Sequence, residues 1–448
     1  MTQLNIATLK ATFSGNIVLP DDDTYNTARV TYAVKDAMPA VVAQAMSNED
    51  IAAVISFSKA NHLQISVRSG GHSAAGFSTN NNGLVLDLSH MNSIEVLDEK
   101  TGLVRLGTGA QWGDVASVLA THGLAISSGD TKTVAVGGLT LGGGIGWMLR
   151  KYGYATDSLV AAEVVLANGS VVTASESENS DLFWSLRGGG GNFGVVTSFE
   201  FKAHPLGKVV ESTITYKADG LQKIISGWRD HMRVAPEDLT SFMTILPPGP
   251  AGPDPFVMIM SCYANENLDH ANLEINPLRQ LGPIVNDTIE VKNYADVLQI
   301  AHPPEGVTFE VKNMFTKVLS DELIAQLSSI CGKPGSPVVQ LRIMGGAIDK
   351  ISPDAMALSH RGNEAFLFAG FPTPIGATPE QKAKSLQVWE KLAVYSSGTY
   401  SNFLSTNTEN DIAGIYPENT YRRLTEVKRK YDPENIFSHN FNIKPATN

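Results

Sequence analysis

The stretch that decides the fold is Gln64-Ile65-Ser66-Val67-Arg68-Ser69-Gly70-Gly71-His72-Ser73. Gln64 to Arg68 alternates polar and apolar side chains, the period-two pattern of a half-buried strand. The strand runs directly into two glycines and a histidine. Glycine accepts positive φ and lets backbone N–H groups come close to a ligand. Successive N–H groups turned inward form a nest for an anion such as a pyrophosphate. Two further loops of this kind follow: Gly137-Gly138 through Gly142-Gly143-Gly144-Ile145-Gly146, and Gly188-Gly189-Gly190-Gly191-Asn192-Phe193-Gly194. One such loop reads as a tight turn. Three clusters between residues 69 and 194 favour a cofactor that carries phosphate. His72 alone would be an ordinary surface or core residue, and its place beside a nest is what singles it out.

Outward from this stretch, helix and strand alternate. Asn48-Glu49-Asp50 caps an amphipathic helix that begins at Ile51. Gly83 to Leu88 reads as a strand, Ile94 to Leu97 and Leu103 to Leu106 as a hairpin, and Trp112 to His122 as a helix. Leu159 to Leu166 and Ser170 to Thr173 pair around Ala167-Asn168-Gly169. In the middle third, Gly249-Pro250-Ala251-Gly252-Pro253 is a loop and Phe256 to Ser261 a strand. Helices are expected over 264–280 and 320–331, and Val338 to Met344 reads as a strand ending at Gly345-Gly346. A last helix spans 418–430 and stops at Asp432-Pro433-Glu434-Asn435. Val427-Lys428-Arg429-Lys430 reads as a solvated helix face. The fold class is α+β in more than one lobe, as 448 residues already suggest.

Gly189 to Gly194 matches G-x-G-x-x-G, but the dinucleotide fingerprint needs a helix after the loop. Val195-Val196-Thr197-Ser198-Phe199-Glu200-Phe201 is β-branched and alternating, so a strand follows and the nicotinamide reading fails. Gly107-Thr108-Gly109 before Trp112 is a second candidate, and its third glycine, Gly113, comes one place late. A net charge of -11 without a long basic run argues against nucleic acid as partner. The two cysteines, Cys262 and Cys331, lack C-x-x-C spacing, which disfavours a metal site and leaves at most one bridge. The first twenty residues lack the apolar core of a signal peptide, and no long apolar run follows. These features point to a soluble, cytoplasmic protein without a membrane partner, a monomer or homodimer acting on a small molecule.

Val67 to Ser73 resembles the flavin-linking motif of the berberine bridge enzyme-like family, FAD oxidoreductases of the vanillyl-alcohol oxidase/PCMH fold. Gly129-Asp130-Thr131-Lys132-Thr133-Val134-Ala135-Val136-Gly137-Gly138 resembles that family's next motif. Arg187 to Val196 and the tail Tyr431-Asp432-Pro433-Glu434-Asn435-Ile436-Phe437, with Asn440 and Asn442, continue the likeness in the family's order. It covers residues 15 to 445 and is nearest to bacterial members of the 6-hydroxy-D-nicotine oxidase type. The resemblance implies a PCMH-type FAD-binding domain of two α/β subdomains over 1–205. A substrate-binding domain over 206–400 would carry an antiparallel sheet covered by helices. A segment over 401–448 would return to the FAD domain.

The resemblance also implies site residues. His72 would carry FAD covalently, and Arg68, Ser69, Gly70, Gly71 and Ser73 would hold its pyrophosphate. Gly129, Asp130, Thr131, Val134, Gly137, Gly138, Gly142, Gly144, Gly146, Gly194, Val195, Val196, Asn440 and Asn442 would complete the cofactor site. Thr131 stands where many members have a second linking cysteine, so one link is expected. Val134 stands at the family's gatekeeper position, where a small residue accompanies oxidase behaviour; the other reading is strand packing. Gln340, Arg342 and Met344, with Tyr400-Ser401-Asn402, would face the substrate. Lys and Glu of the nicotine oxidase type are replaced by Gln340 and Arg342, which argues against the same amine substrate. Arg342 would meet an anionic substrate, sharpen the acidity of a tyrosine, or form a salt bridge to the helical layer. Tyr400 is the candidate proton acceptor, though a phenol titrating near 10 needs a cationic neighbour. Trp147, Tyr152 and Tyr154 are cofactor, pocket or core residues; His360-Arg361 is a weaker pocket candidate. An oxidase that passes electrons to O2 competes with a dehydrogenase using another acceptor, and with a flavin- or ligand-binding protein without turnover.

Overall fold

The computed structural model describes residues 4–249, 252–300 and 307–447. Three principal sheets organise them. The first has the order Asn16–Val18, Val41–Gln44, Leu84–Asp87, Ile65–Arg68. Its last three strands are parallel, with the helix Asn48–Asn61 as crossover between Val41–Gln44 and Ile65–Arg68. This is the β-α-β unit that delivers the chain to Ser69-Gly70-Gly71-His72. The helix begins at Asn48, and its cap is Ser47, whose side chain accepts from Asp50 N–H at 3.2 Å. The cap therefore lies one residue before the expected Asn48.

The second sheet is antiparallel in the order Ile94–Asp98, Leu103–Gly107, Val195–Lys202, Leu159–Val165, Val171–Ser175. Both expected hairpins are present. A strand, not a helix, follows Gly194, as β-branched side chains dictate. The third sheet has seven antiparallel strands: Ile284–Lys292, Val209–Lys217, Phe256–Tyr263, Leu239–Leu246, Val338–Ile343, Ala365–Pro374, Val307–Thr316. Strand alternation puts Val339, Leu341, Met243, Ile259 and Leu367 on one face, packed beneath the helices Leu221–Val234, Asp321–Ile330 and Pro379–Ala393. The alternate positions, among them Phe242, Gln340, Arg342, Phe366 and Phe368, face the other way, toward the glycine loops. The region 264–280 is a short helix, Leu268–Ile275, and a 3-10 turn, Asn276–Gln280, with Pro277 at the junction. Pro250 and Ala251 of the expected loop fall outside the described residues; Gly249 and Gly252 pair across it.

One expectation needs correction. Lys428 is not on a solvated face: Lys428 and Asp432 side chains are both 0% exposed and form an ion pair at 2.7 Å. The Lys428 ammonium also donates to Asn192 O at 2.6 Å and Phe437 O at 3.0 Å. Asp432 in turn accepts from Ile436 and Phe437 N–H. Asp-Pro-Glu-Asn is thus more than a helix stop; it supplies the charge that lets the tail dock on the third glycine loop. Cys262 and Cys331 are both free and buried, in separate cores, and do not pair. No helix among the described residues is long and apolar enough to cross a membrane.

Removing one partner of a buried ion pair costs about 3–5 kcal/mol. Asp432→Asn should therefore lower the denaturation midpoint clearly, with Lys428→Met/Asp432→Asn recovering part of the loss. Equal midpoints for wild type and D432N would show that the tail docks without this pair.

Candidate active site

The His72 loop is anchored by charge. Arg68 and Asp87 are directly paired in register on parallel strands, and Arg68 Nη2 donates to Asp87 at 2.8 Å with both side chains buried. Beyond Ser69 the backbone presses against the second glycine segment: a Cβ on Gly70 would lie 2.8 Å from Ala135 N. Gly71 has φ +71°, which turns the chain so that His72 leaves the sheet sideways. The imidazole stacks on Tyr32, with centroids 4.8 Å apart and planes at 17°. Its Nε2 lies 3.1 Å from Thr133 Oγ1. Burial, together with the Lys35 ammonium, holds the His72 pKa below its ordinary value against the opposing Thr133 hydrogen bond. The ring is therefore neutral at pH 7. A cavity of about 450 Å³ opens here, lined by Tyr32, Lys35, Arg68, His72, Gln111 and Asp114, among others.

The second glycine segment carries Gly129, Asp130, Thr131 and Val134 into the helix Val136–Gly142. Gly146 shows why the segment is glycine-rich: a Cβ there would lie 1.9 Å from Ser128 O. Gly137, Gly142 and Gly144 are likewise crowded by Thr108 and Ser69, by Asn402, and by Ala155 and Leu139. Gly194 is crowded by Val164. These glycines are required by the chain's own packing. Gly138 is exposed, and a side chain there would meet open space. Val195 and Val196 point into two hydrophobic cores, so either could meet a cofactor only through its backbone. Val134 is half-buried, and its carbonyl accepts from Trp112 N–H at 2.9 Å. Thr131 donates to Asp130 at 3.0 Å, and Ser73 Oγ accepts from Phe77 N–H at 3.4 Å.

The open face of the third sheet meets this segment through Arg342, whose side chain is 1% exposed. Its guanidinium pairs with Asp130, donates to Gln340 Oε1 at 2.7 Å and to Ile145 O at 3.2 Å, and lies 4.2 Å over the Phe242 ring. Of the three readings of Arg342, a salt bridge is what forms, but strand alternation aims it at the glycine segment, not at the helical layer. Its counter-ion is a residue of this chain, so no unpaired cation is held out for an anionic substrate. Gln340 is fixed in turn by Thr244 at 3.0 Å. Tyr400 is buried, and its hydroxyl accepts from Gly144 N–H at 2.7 Å and Asn402 Nδ2 at 3.0 Å. Burial pushes the phenol up to about 12, outweighing those two donors and Arg342. Asn313 pins the Tyr400 backbone through both its amide atoms, a clamp with no signal in the sequence.

Trp147 is a core residue stacked on Phe242 at 4.2 Å, and Tyr152 stacks on His204 at 4.0 Å. Tyr154 is buried beneath Arg361, which pairs with Asp157 at 2.5 Å. Met344 is buried in the same small core as Tyr400. His360 is held by the carbonyls of Gly414 and Ile415, and Arg361 is a structural link, so neither forms part of an open pocket. Thr133, Tyr32 and Lys35 were not picked out by sequence reasoning. Thr133 stood inside a quoted motif; Tyr32 and Lys35 lie far upstream, and only folding brings them to His72.

The residues present fit FAD. Arg68 Nη1, Asn440 Oδ1 and Asn442 Oδ1 are buried polar atoms without a hydrogen-bond partner. Buried polar groups are rarely left unmet in a folded chain, and a ligand bound against the glycine loops would meet these three. Asn440 stands beside the third glycine loop, reaching Gly191 O at 3.4 Å, and Arg68 stands beside the first.

Residues 39–175 match the FAD binding domain family, and residues 399–444 match the family described as berberine and berberine like. The chain is 32% identical to (R)-6-hydroxynicotine oxidase of Paenarthrobacter nicotinovorans, over 96% of this chain and 97% of that protein. It is 28% identical to a xylooligosaccharide oxidase of Thermothelomyces thermophilus, over 91% of this chain and 88% of that protein. The solved structure of 6-hydroxy-D-nicotine oxidase from Arthrobacter nicotinovorans superimposes with a TM-score of 0.86 at 29% identity, covering 97% of this chain and 99% of that one. Geometry, unmet polar atoms and kinship agree that this chain belongs to the berberine bridge enzyme-like family of FAD-linked oxidoreductases.

Proposed function

We propose that this protein is an oxidase that holds FAD by a single covalent link from His72 and dehydrogenates an uncharged small organic molecule, with O2 as electron acceptor. Residues 1–205 and 401–448 would hold the cofactor, and residues 206–400 would cover it. The observation that carries the reading is the state of His72: a neutral imidazole, stacked and hydrogen-bonded at the end of the first glycine loop. If Nε2–H donates to Thr133, Nδ1 keeps its lone pair and makes no hydrogen bond to the described residues. A neutral ring nitrogen is the form that bonds to carbon. A glucooligosaccharide oxidase from Acremonium strictum, 25% identical over 99% of each chain, has a 6-S-cysteinyl, 8α-N1-histidyl FAD. Thr131 has no sulfur for a second bond.

When bound, FAD supplies the acceptor for two electrons and a hydrogen from the substrate. The chain's own residues orient the substrate and manage its proton. Arg342, neutralised by Asp130, stiffens the wall formed by Gln340, Phe242 and Phe403 and offers no free charge. That supports an uncharged substrate. Tyr400 accepts two N–H donors, an arrangement that stabilises oxygen bearing negative charge, and is the group proposed to take a hydroxyl or amine proton. Val134 is a small residue at the position the family resemblance marks as gatekeeper, which supports O2 as acceptor.

Three measurements test this reading. Wild-type protein precipitated with acid should stay yellow, and a denatured gel band should fluoresce; His72→Ala should release its FAD to the supernatant. A wild-type pellet without colour would end the covalent reading. A panel of neutral alcohols, amines and sugars should show at least one substrate producing hydrogen peroxide in steady state, and Val134→Leu should lower peroxide formation roughly tenfold. Flavin bleaching with no peroxide would favour the dehydrogenase. The pH profile tests Tyr400. With its pKa raised to about 12, the proton-accepting form is scarce at pH 7 and grows as pH rises. Anaerobic flavin reduction should therefore climb about tenfold per unit between roughly pH 7 and 10, and Tyr400→Phe should flatten the climb. A plateau below pH 9 in wild type would remove Tyr400 from the role.

A further inference from the structure

The segment Thr31 to Lys35 precedes the part of the chain that matches the FAD-binding family and carries no motif, yet it folds onto His72. It is a self-closed turn: Thr31 N–H donates to Val34 O at 3.0 Å, and the Lys35 ammonium donates to Thr31 O. Tyr32 N–H donates to Gly71 O at 3.0 Å, tying the turn to the glycine immediately before His72. Thr31 also packs against Gly71, whose Cβ would lie 3.6 Å from Thr31 Cβ. The result brings the Tyr32 ring flat against the imidazole and sets Lys35 in the wall of the same cavity.

We propose that the turn Thr31–Lys35 is the platform for flavin attachment, with Tyr32 fixing the plane of the His72 ring and Lys35 disfavouring a second positive charge beside it. Both act as positioning residues, and the inference rests on the covalent reading of His72. In the attachment, one N–C bond forms between imidazole and the flavin 8α-methyl carbon, and one methyl C–H and one imidazole N–H are lost. The two electrons and two protons leave with O2 as hydrogen peroxide, so that protein, FAD and O2 give linked protein and H2O2. A nucleophile held flat and in plane needs no reorientation at that step, and a small misplacement of a reacting group can cost on the order of a hundredfold. The lowered His72 pKa, in which Lys35 takes part, supports the electrostatic half. The other ionisable groups around this ring and cavity are Tyr32, Arg68 and Asp87, which neutralise one another as a pair in the latter two cases, and Asp114 on the helix Trp112–Ala120.

The test follows attachment, not turnover. Full-length protein produced without flavin is mixed with FAD, and the acid-stable yellow fraction is timed between pH 5 and 9. Tyr32→Ala should bind FAD yet link it on the order of tenfold or more slowly, and Tyr32→Phe should restore the wild-type rate. Lys35→Met should shift the rate profile to higher pH, because the imidazole then protonates more readily and its reactive neutral form is lost sooner on acidification. Linking by Tyr32→Ala at the wild-type rate, or an unshifted profile in K35M, would overturn the proposal while leaving His72 as the link. Loss of bound FAD from Tyr32→Ala would also overturn it, assigning Tyr32 to binding. If wild type itself forms no acid-stable adduct, the parent reading fails instead.

Discussion

Arg342 carries a full positive charge at 1% exposure, and the Asp130 carboxylate makes that tolerable. A buried cation without a partner would be expelled or neutralised. Because Arg342 belongs to the third sheet and Asp130 to the second glycine segment, meeting this requirement also sets the distance between the open face of that sheet and that loop. Arg361, in the loop before Ala365–Pro374, pairs in the same way with Asp157 in the turn Ala155–Ser158. Arg150 adds hydrogen bonds to the carbonyls of Ala235 and Leu239. The walls of the site are therefore held by directional contacts with few alternatives, in addition to apolar packing.

Those contacts bring separate stretches of chain to one place. Asn402 enters the gap left by Gly142, and Tyr400 takes the Gly144 N–H. Asn192 in the third glycine loop bonds Phe441 and Ile443 of the tail, while Lys428 reaches back to Asn192. The second and third glycine loops are thus each closed by a segment from a distant part of the sequence. Unmet polar atoms on Arg68, Asn440 and Asn442 remain on the first loop's strand and on the tail.

Selectivity follows from the same economy of charge. An arginine on a substrate-facing strand invites the idea of an anionic substrate. Here its charge is already neutralised, and the groups beside it are an amide, aromatic rings and a buried phenol. The relatives include oxidases whose names refer to a hydroxylated nicotine and to xylooligosaccharides, so the scaffold itself does not select a substrate. In the proposed site, this wall would recognise a substrate by shape and hydrogen bonding.

The local sequence determined a good deal. Period-two alternation located Ile65–Arg68, Val195–Lys202 and Val338–Ile343, and glycine clusters marked the turns, because both depend on neighbours within a few residues. The β-branched run after Gly194 ruled out a nicotinamide-binding reading of that glycine loop for the same reason. The family resemblance supplied His72 and the flavin. Tertiary structure alone decided what each charged residue faces: Lys428 looked solvated and is fully buried, Arg342 had three readings open and pairs with Asp130, and Tyr32, Lys35 and Asn313 had no signal at all. Charge pairing and ring stacking act across chain separations that no local pattern encodes, so their partners become known only when the fold brings them together.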